Sequence, residues 1–218
     1  VAYAPTNFNP LTGQYPDEAS MRSDLEKLVD INAYGIVTYG SEQTLGQIPR
    51  IAKELGIPKV IMGIWDPANQ AELTNALEAQ VFVDGYCVGN EGLDNRYSFS
   101  VLDGVIKTLR SQTKKPVTTT EEIGDYSDQQ LVNVGDWVFP NAHPYWQGIK
   151  DPSTAVSWTV NQHNDLTTRT AIPVVFKEVG LPSEGEQGLS EANQNSYYRQ
   201  LESAFLGEPY TKTVHFEA

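Results

Sequence analysis

Two glutamates in the sequence could act together on one chemical bond. Glu91 ends the segment 85–91, and Glu178 ends the segment 174–178. Because side chains alternate along a strand, Glu91 is expected to continue the row of Gly85, Cys87 and Gly89, which would face a barrel interior. Two carboxylates on either side of a glycosidic bond can cleave it, since one protonates the leaving oxygen and the other acts on the anomeric carbon.

The two carboxylates would also set each other's charge. At the separation of about 5 Å found in retaining enzymes, their repulsion is about 3 kcal/mol at an effective dielectric constant of about 20, which equals about two pKa units. One glutamate would then keep its proton up to about pH 6 while the other is ionised. Spacing alone does not separate this pair from solvated or loop-capping carboxylates.

Short β-branched segments alternate with helical patterns along the chain. We predict eight strands, at Ala2–Pro5, Gly35–Tyr39, Lys59–Trp65, Phe82–Val88, Pro116–Thr120, Trp137–Pro140, Pro173–Lys177 and Thr213–Glu217. Apolar residues with a period of 3.6 predict helices over Asp17–Ala33, Leu45–Leu55, Val101–Leu109 and Tyr197–Phe205, the last with Ser190 as its N-cap. Weaker patterns predict three more, around Gln70–Ala79, Ser127–Val134 and Ser153–Thr168.

This alternation predicts an α/β fold with a parallel sheet built from βαβ units. Eight strands favour a compact (β/α)8 TIM barrel over an open doubly wound sheet, because no glycine-rich phosphate-binding motif follows the first strand. The eighth predicted strand reaches the end of the sequence, so we expect the last helix to be missing. Residues 1–218 are expected to form a single catalytic barrel domain.

Composition and motifs exclude several classes of function. The 28 acidic and 15 basic residues give a net charge of −13, which repels phosphate backbones and anionic lipids, so we expect no nucleic acid and no membrane partner. One cysteine, Cys87, and three histidines without ligand spacing predict no metal site. No cofactor is expected. No signal-peptide pattern opens the chain, so any export signal has been removed or was never present.

Other polar and aromatic residues stand where the predicted strands end, which is where barrel enzymes place reactive groups. These positions are Tyr39, Trp65, Asp66, Asn90, Glu91, Glu121, Glu122, residues 141–146 and Glu178. A large ring such as that of Trp146 suits stacking on a sugar. Trp137 and Trp158 are expected to pack in the core, and Glu122 is expected to be solvated.

Six short motifs occur in a fixed order along essentially the whole chain. They are Val37–Gly40, Gly89–Glu91, Val117–Glu121, His143–Trp146, Glu178–Ser183 and Phe216–Ala218. In order and spacing the set resembles glycoside hydrolase family 17, whose members are β-1,3-glucan-active (β/α) barrels, and it is nearest to the compact microbial glucanases and glucanosyltransferases. Val37 stands where the family commonly has Arg, and Leu181 replaces a frequent Trp, so the loop at Leu181 is expected to differ.

The resemblance implies a retaining double displacement, with Glu91 as general acid/base and Glu178 as nucleophile. It implies that Asn90 contacts the sugar 2-hydroxyl and that Trp65 and Trp146 stack on pyranose faces. The remaining residues that the resemblance assigns to substrate binding are Tyr39, Glu121, Asn141 and Tyr145. The implied substrate is β-1,3-glucan or a laminari-oligosaccharide, and the implied location is extracellular or in the cell wall. A monomer is expected.

The sequence leaves the outcome of the reaction open. Water or another sugar can resolve the ester, so the chain is either a β-1,3-glucanosyltransferase, which the compact form favours, or an endo-β-1,3-glucanase that only hydrolyses. A non-catalytic glycan-binding barrel would keep Tyr39, Trp65 and Trp146 but would not need both glutamates. A structural scaffold would bind no oligosaccharide.

Overall fold

The structure is a computed structural model that describes residues 1–207 and 212–216, and these residues contain eight β-strands and seven α-helices. The strands are β1 (Ala2–Tyr3), β2 (Gly35–Thr38), β3 (Lys59–Ile64), β4 (Gly85–Val88), β5 (Val117–Thr119), β6 (Asn141–Ala142), β7 (Phe176–Val179) and β8 (Thr213–His215). The helices are α1 (Glu18–Asp30), α2 (Ile48–Glu54), α3 (Gln70–Glu78), α4 (Phe99–Thr113), α5 (Gln129–Val132), α6 (Pro152–Arg169) and α7 (Glu191–Ala204).

The chain divides into two compact units, Val1–Thr119 and Thr120–Ala218. In the first unit, strands β1 to β5 form one parallel sheet in chain order. In the second unit, β6, β7 and β8 form a three-stranded parallel sheet with β7 in the centre. Parallel neighbours need a crossover connection, and a helix lies in the sequence between most pairs of neighbouring strands. The predicted α/β organisation with parallel sheets is confirmed.

Side-chain caps fix where the predicted helices begin. The carboxylate of Asp17 accepts a hydrogen bond from the Ser20 amide at 2.8 Å and so caps α1. Ser190 caps α7 in the same way, since its hydroxyl accepts from the Asn193 amide at 3.1 Å, as the sequence predicts. Each cap satisfies an amide that the helix itself leaves unpaired.

Helices cover the sheet of the first unit with a continuous apolar core. Met21 and Leu25 of α1 and Ile51 of α2 are fully buried, and so are Val60 and Met62 of β3. Burial of each such side chain contributes about 1.5 to 3 kcal/mol. Apolar packing against the helices therefore stabilises a sheet whose strands are short. The strands are buried nearly throughout, as expected for a parallel sheet covered by helices.

The predicted sixth strand at Trp137–Pro140 is wrong in position. The observed β6 comprises Asn141–Ala142, while Val138 forms only an isolated parallel bridge with Val174. Pro140 lies between the two pairings, and because proline has no amide hydrogen it interrupts the ladder of hydrogen bonds. The seventh strand is displaced in the same direction, to Phe176–Val179.

The predicted fourth strand begins too early. Residues Ala79–Phe82 form a 3-10 turn, and β4 starts only at Gly85. The carboxylate of Asp84 accepts hydrogen bonds from Lys53 and Lys59 and from the Val60 amide, which fixes the chain just before the strand. At the other end of the chain, Glu217 belongs to the predicted eighth strand and Ala218 to the last of the six motifs, and both residues lie outside the described part of the chain. Within residues 1–207 and 212–216, no helix has the length and apolarity to cross a membrane.

Candidate active site

The predicted site residues fall into two groups, one in each unit. The first site group consists of Tyr39, Trp65, Asn90 and Glu91, which follow strands β2, β3 and β4. The second site group consists of Glu121, Asn141, Tyr145, Trp146 and Glu178, which follow β5 or lie at the ends of β6 and β7. Within each sheet the strands are parallel, so the first site group lies at the carboxyl edge of the first sheet, and Tyr145, Trp146 and Glu178 lie at the carboxyl edge of the second.

Residues 89–92, here called the Glu91 segment, turn away from the direction of strand β4. β4 ends at Val88, and both Gly89 (φ +79°) and Glu91 (φ +48°) have left-handed backbone conformations. The expectation that Glu91 continues the alternating row of Gly85 and Cys87 is therefore wrong beyond Val88. A non-glycine residue in this conformation costs about 1 kcal/mol and is maintained only where its surroundings fix it, often at functional sites.

Tyr97 lies against this segment and determines its shape. A β-carbon on Gly89 would come within 2.3 Å of the Tyr97 hydroxyl oxygen, and one on Gly92 within 2.5 Å of a Tyr97 ring carbon. Tyr97 is itself buried, and its amide donates to the carbonyl of Gly92 at 3.2 Å. Both glycines are therefore needed for the close approach of the ring to the backbone on each side of Asn90 and Glu91.

Arg96 connects the Glu91 segment to Trp65. Its guanidinium donates a hydrogen bond to the carbonyl of Asn90, and its central carbon lies 4.5 Å from the centroid of the Trp65 ring. A guanidinium over an aromatic face contributes about 0.5 to 1 kcal/mol at an exposed site. Trp65 remains 40% exposed, so the ring is oriented by Arg96 and still accessible.

Glu72 orders the loops that follow β2 and β3. Its carboxylate, on α3, accepts hydrogen bonds from the amides of Ser41 (2.9 Å), Trp65 (2.9 Å) and Asp66 (3.1 Å). Burial raises the pKa of Glu72 above its ordinary value, and the three amide donors oppose this shift. The backbone of Trp65 is thus held by a buried carboxyl group of the same unit.

In the second unit, Glu178 lies on the central strand and is nearly enclosed. It is 5% exposed, and it stands opposite Asn141 in the register of β6 and β7. His143 Nε2 lies 3.1 Å from Oε2 of Glu178, and Lys177 Nζ lies 3.1 Å from Oε1. Both carboxylate oxygens therefore have a nitrogen partner.

An irregularity of β7 brings Lys177 and Glu178 together. Phe176 is opposite Thr213 and Val179 is opposite His215, so three steps along β7 match two along β8. Neighbouring side chains of a regular strand point to opposite faces, and the extra residue of a bulge removes this separation. At 3.1 Å and an effective dielectric constant of about 20, the attraction is about 5 kcal/mol before desolvation of both groups is subtracted.

Asn141 is fixed by the residues that follow β5. Its amide nitrogen donates to the carbonyl of Glu121 at 3.0 Å, and its side-chain oxygen accepts from the Thr120 hydroxyl at 3.0 Å. Glu121 is completely buried, whereas its neighbour Glu122 is exposed, as the sequence predicts. The second site group therefore places Glu121, Asn141 and Glu178 on adjacent elements.

Two aromatic residues follow β6 in a 3-10 turn that comprises Pro144–Gln147. The rings of Tyr145 and Trp146 meet edge to face, with centroids 4.9 Å apart, and Trp146 is 76% exposed. A hydrogen bond between Tyr145 and the Glu186 carboxylate raises the pKa of Tyr145, and Glu186 also pairs with Lys150 at 2.7 Å. The loop after β7 thereby holds the aromatic pair beside the Glu178 strand.

Three residues of these sites were not assigned a role from the sequence: Lys177, His143 and Arg96. The sequence does contain a signal for Lys177, because a lysine stands between an apolar run, residues 173–176, and Glu178 in a predicted strand. Nothing comparable marks Arg96, whose contacts depend on the turn of the Glu91 segment. Within the described residues, no three His, Cys, Asp or Glu side chains are grouped so that they could hold a metal ion.

Comparison with known proteins gives a family match over the whole chain. The family model described as the BtgE/BtgC glycoside hydrolase domain matches residues 1–218. A protein of Aspergillus niger named glucan endo-1,3-beta-glucosidase btgC is 29% identical over an alignment of 224 positions, gaps included, and the alignment covers 89% of this chain and 32% of that protein. A protein of the same name from Aspergillus fumigatus is 27% identical over 205 residues. The chain thus spans about a third of the length of these relatives.

Solved structures show the same fold. The family 17 β-1,3-glucanosyltransferase of Rhizomucor miehei superimposes with a TM-score of 0.79 at 20% identity, over 100% of this chain and 85% of that one. An active-site mutant of that enzyme in complex with laminaritriose gives a TM-score of 0.80. The predicted fold class and the resemblance to glycoside hydrolase family 17 are therefore confirmed.

Proposed function

Because the chain belongs to the BtgE/BtgC glycoside hydrolase domain family, we propose that it acts on β-1,3-glucan by a retaining double displacement. In this proposal Glu178 is the nucleophile and Glu91 the general acid/base. The observation that carries it is the state of Glu178, a buried carboxylate at a strand end whose two oxygens are held by His143 and Lys177. Such a group is fixed in position for attack on the anomeric carbon.

The first step forms a covalent ester. A Glu178 oxygen attacks the anomeric carbon, the bond from that carbon to the leaving oxygen breaks, and the leaving oxygen takes a proton from Glu91. The second step reverses the roles. A water or sugar hydroxyl gives its proton to Glu91 as it attacks the anomeric carbon, and the ester bond breaks to restore the Glu178 carboxylate.

The proposed stacking contacts follow from the exposure of two tryptophan rings. Trp65 and Trp146 are the exposed aromatic side chains at these strand ends, and stacking on a pyranose ring needs an accessible face. The Asn90 side chain is proposed to contact the sugar 2-hydroxyl. From the family resemblance, Tyr39, Glu121 and Asn141 are proposed to line the donor side of the site, and Tyr145 is proposed to lie near the nucleophile.

We propose that the ester is resolved by a sugar acceptor, so that the protein lengthens glucan chains, and that it acts outside the cell or in the wall, where β-1,3-glucan is found. Similarity to a protein named β-1,3-glucanosyltransferase supports transfer. Similarity to proteins named glucan endo-1,3-beta-glucosidase supports hydrolysis, which is the alternative outcome.

The test is incubation with laminari-oligosaccharides of defined length, followed by chromatography of the products. Products longer than the donor demonstrate transfer, and proton NMR of the first product should show the β-anomer because the mechanism retains configuration. Glu178→Ala should abolish both products. Glu91→Gln should lose activity on natural glucan but still form the ester from substrates with good leaving groups.

A matched control is Glu122→Gln, since Glu122 is exposed and adjacent to a site residue. This variant should keep the wild-type product pattern. Identical patterns from wild type and Glu178→Ala would refute the mechanism, whereas oligosaccharide binding without any conversion would favour a glycan-binding protein.

A further inference from the structure

Lys177 is buried at a position where a charge is costly. The residue is 1% exposed, and it lies on the central strand of the second unit between Phe176 and Glu178. An ammonium group taken out of water is tolerated only when it is paired, and a well-packed apolar residue in its place often stabilises the fold more. Stability of the fold therefore does not explain why a lysine occupies this position.

The contact with Glu178 supplies one. Lys177 Nζ lies 3.1 Å from Oε1, while His143 Nε2 lies 3.1 Å from Oε2. The two oxygens thus have different partners, one an ammonium group and the other an imidazole. A hydrogen bond from a cation is about twice as strong as one between neutral groups.

We propose that Lys177 is a positioning residue for the nucleophile, which holds Oε1 of Glu178 and stabilises its carboxylate as the leaving group when the glucosyl ester breaks. This inference rests on the proposed function of Glu178. Glu178 carries a negative charge before the first step and after the second, but not in the ester between them. The Lys177 charge therefore favours ester breakdown and disfavours accumulation of the ester.

Several titratable groups lie on the elements that carry or adjoin Glu178 in the described part of this unit. Lys177 is on its own strand, His143 follows the neighbouring β6, and the buried Glu121 lies after β5. His215 on β8 is partly exposed and pairs with Glu202 at 3.7 Å. Of these groups only Lys177 is replaced in the variants below, so a change in pH dependence can be assigned to the loss of its contact with Glu178.

The test uses the intact chain and a laminaribioside with a dinitrophenol leaving group, which makes the first step fast. We expect Lys177→Met to slow ester breakdown by about tenfold or more, as loss of a hydrogen bond to a charged group would. Mass spectrometry of the quenched protein should then show the glucosyl ester accumulating on Glu178. The acid limb of kcat/KM should move to higher pH, and Lys177→Arg should restore both readouts in large part.

Control variants separate this role from a structural one. Lys107→Met removes an exposed lysine that pairs with Asp103, and it should behave as wild type. If Lys177→Met does not fold, Lys177→Gln removes the charge while keeping a donor, and the same accumulation is expected. A folded variant that lacks the charge and releases the ester at the wild-type rate would overturn the inference. If the wild-type protein forms no ester on Glu178 with a 2-deoxy-2-fluoro laminaribioside, which slows breakdown of the ester, the proposed function itself is refuted.

Discussion

Asn141 stands opposite Glu178 in the register of β6 and β7, so an amide and a carboxylate lie at the same level of two neighbouring parallel strands. The Asn141 side chain is oriented by the Thr120 hydroxyl, which donates to its oxygen at 3.0 Å. The orientation of one proposed substrate contact therefore depends on a residue that follows β5. This relation can be tested without changing either site residue.

Thr120→Val should reduce activity more than stability. It keeps the shape of the side chain but removes the donor to Asn141, which should lower kcat/KM on laminari-oligosaccharides by about five- to tenfold, the equivalent of one neutral hydrogen bond. The control is Thr159→Val, because the buried Thr159 hydroxyl contacts Ala155 and Tyr197. That variant should lose stability but keep kcat/KM per folded molecule. Equal kinetic effects of the two variants would contradict the role given to Thr120.

Gly89→Ala should be strongly destabilising and inactive. Its φ of +79° costs an alanine about 1 kcal/mol, and the new β-carbon would lie 2.3 Å from the Tyr97 hydroxyl, so the Glu91 segment must move. Gly56 has a similar φ of +90° with no atom within 4 Å, so Gly56→Ala isolates the backbone cost. Denaturant unfolding should show a loss for Gly89→Ala at least twice that for Gly56→Ala. Equal losses would show that the contact with Tyr97 is unimportant.

Asp84→Asn should reduce stability at neutral pH and less so in acid. Burial alone would raise the pKa of Asp84, but Lys53, the Val60 amide and Lys59 outweigh it and lower the pKa from 3.8 to about 2. A lowered folded-state pKa means that the stabilisation is complete above pH 3.8 and is lost as the pH falls toward about 2. The shift corresponds to about 2.4 kcal/mol, which we reduce to about 1 kcal/mol because the site is partly solvated.

The measurement is thermal unfolding of both proteins across the acid range. For a chain of this size, Asp84→Asn should lower Tm by about 2 to 4 °C at pH 7. The difference should fall to about half at pH 3, since the linkage is then half lost. A difference in Tm that does not change with pH would mean that the ion pairs do not cause the effect.

Trp146→Ala should weaken oligosaccharide binding with little effect on stability. The side chain is 76% exposed, so its removal should change the free energy of unfolding by no more than about 0.5 kcal/mol. Loss of ring stacking should raise Kd for laminari-oligosaccharides by about tenfold, as measured by titration calorimetry with the Glu178→Ala background. Tyr34 is another exposed ring, and Tyr34→Ala should leave Kd unchanged.

The fold was predictable where local chemistry and long-range packing agree. Apolar periodicity located α1 and α4, and the Ser190 cap located the start of α7. The sixth strand was misplaced because a hydrophobic run with Trp137 and Phe139 looks like a strand. Whether such a run pairs depends on Pro140 and on its neighbours in space, which a single sequence does not show.

The sequence predicts which residue types form the candidate site, but it does not predict their geometry. Alternation correctly describes β4 up to Val88, and it fails beyond because two left-handed residues turn the chain. The positive φ of Glu91 depends on its surroundings in the fold. A glutamate in the sequence gives no indication of it, whereas a glycine could have. Lys177 could have been singled out as a charge in a buried strand, but its contact depends on a bulge, which arises from pairing with β8.

The packing of Tyr97 against Gly89 and Gly92 also affects the affinity and rate of substrate binding. The ring packs closely against this backbone, so we expect the segment to lose conformational entropy when the chain folds rather than when a ligand arrives. A glucan bound as proposed would find this loop preorganised. Its affinity would then not be reduced by the ordering of the loop, and the rate of association should be close to that of a rigid surface.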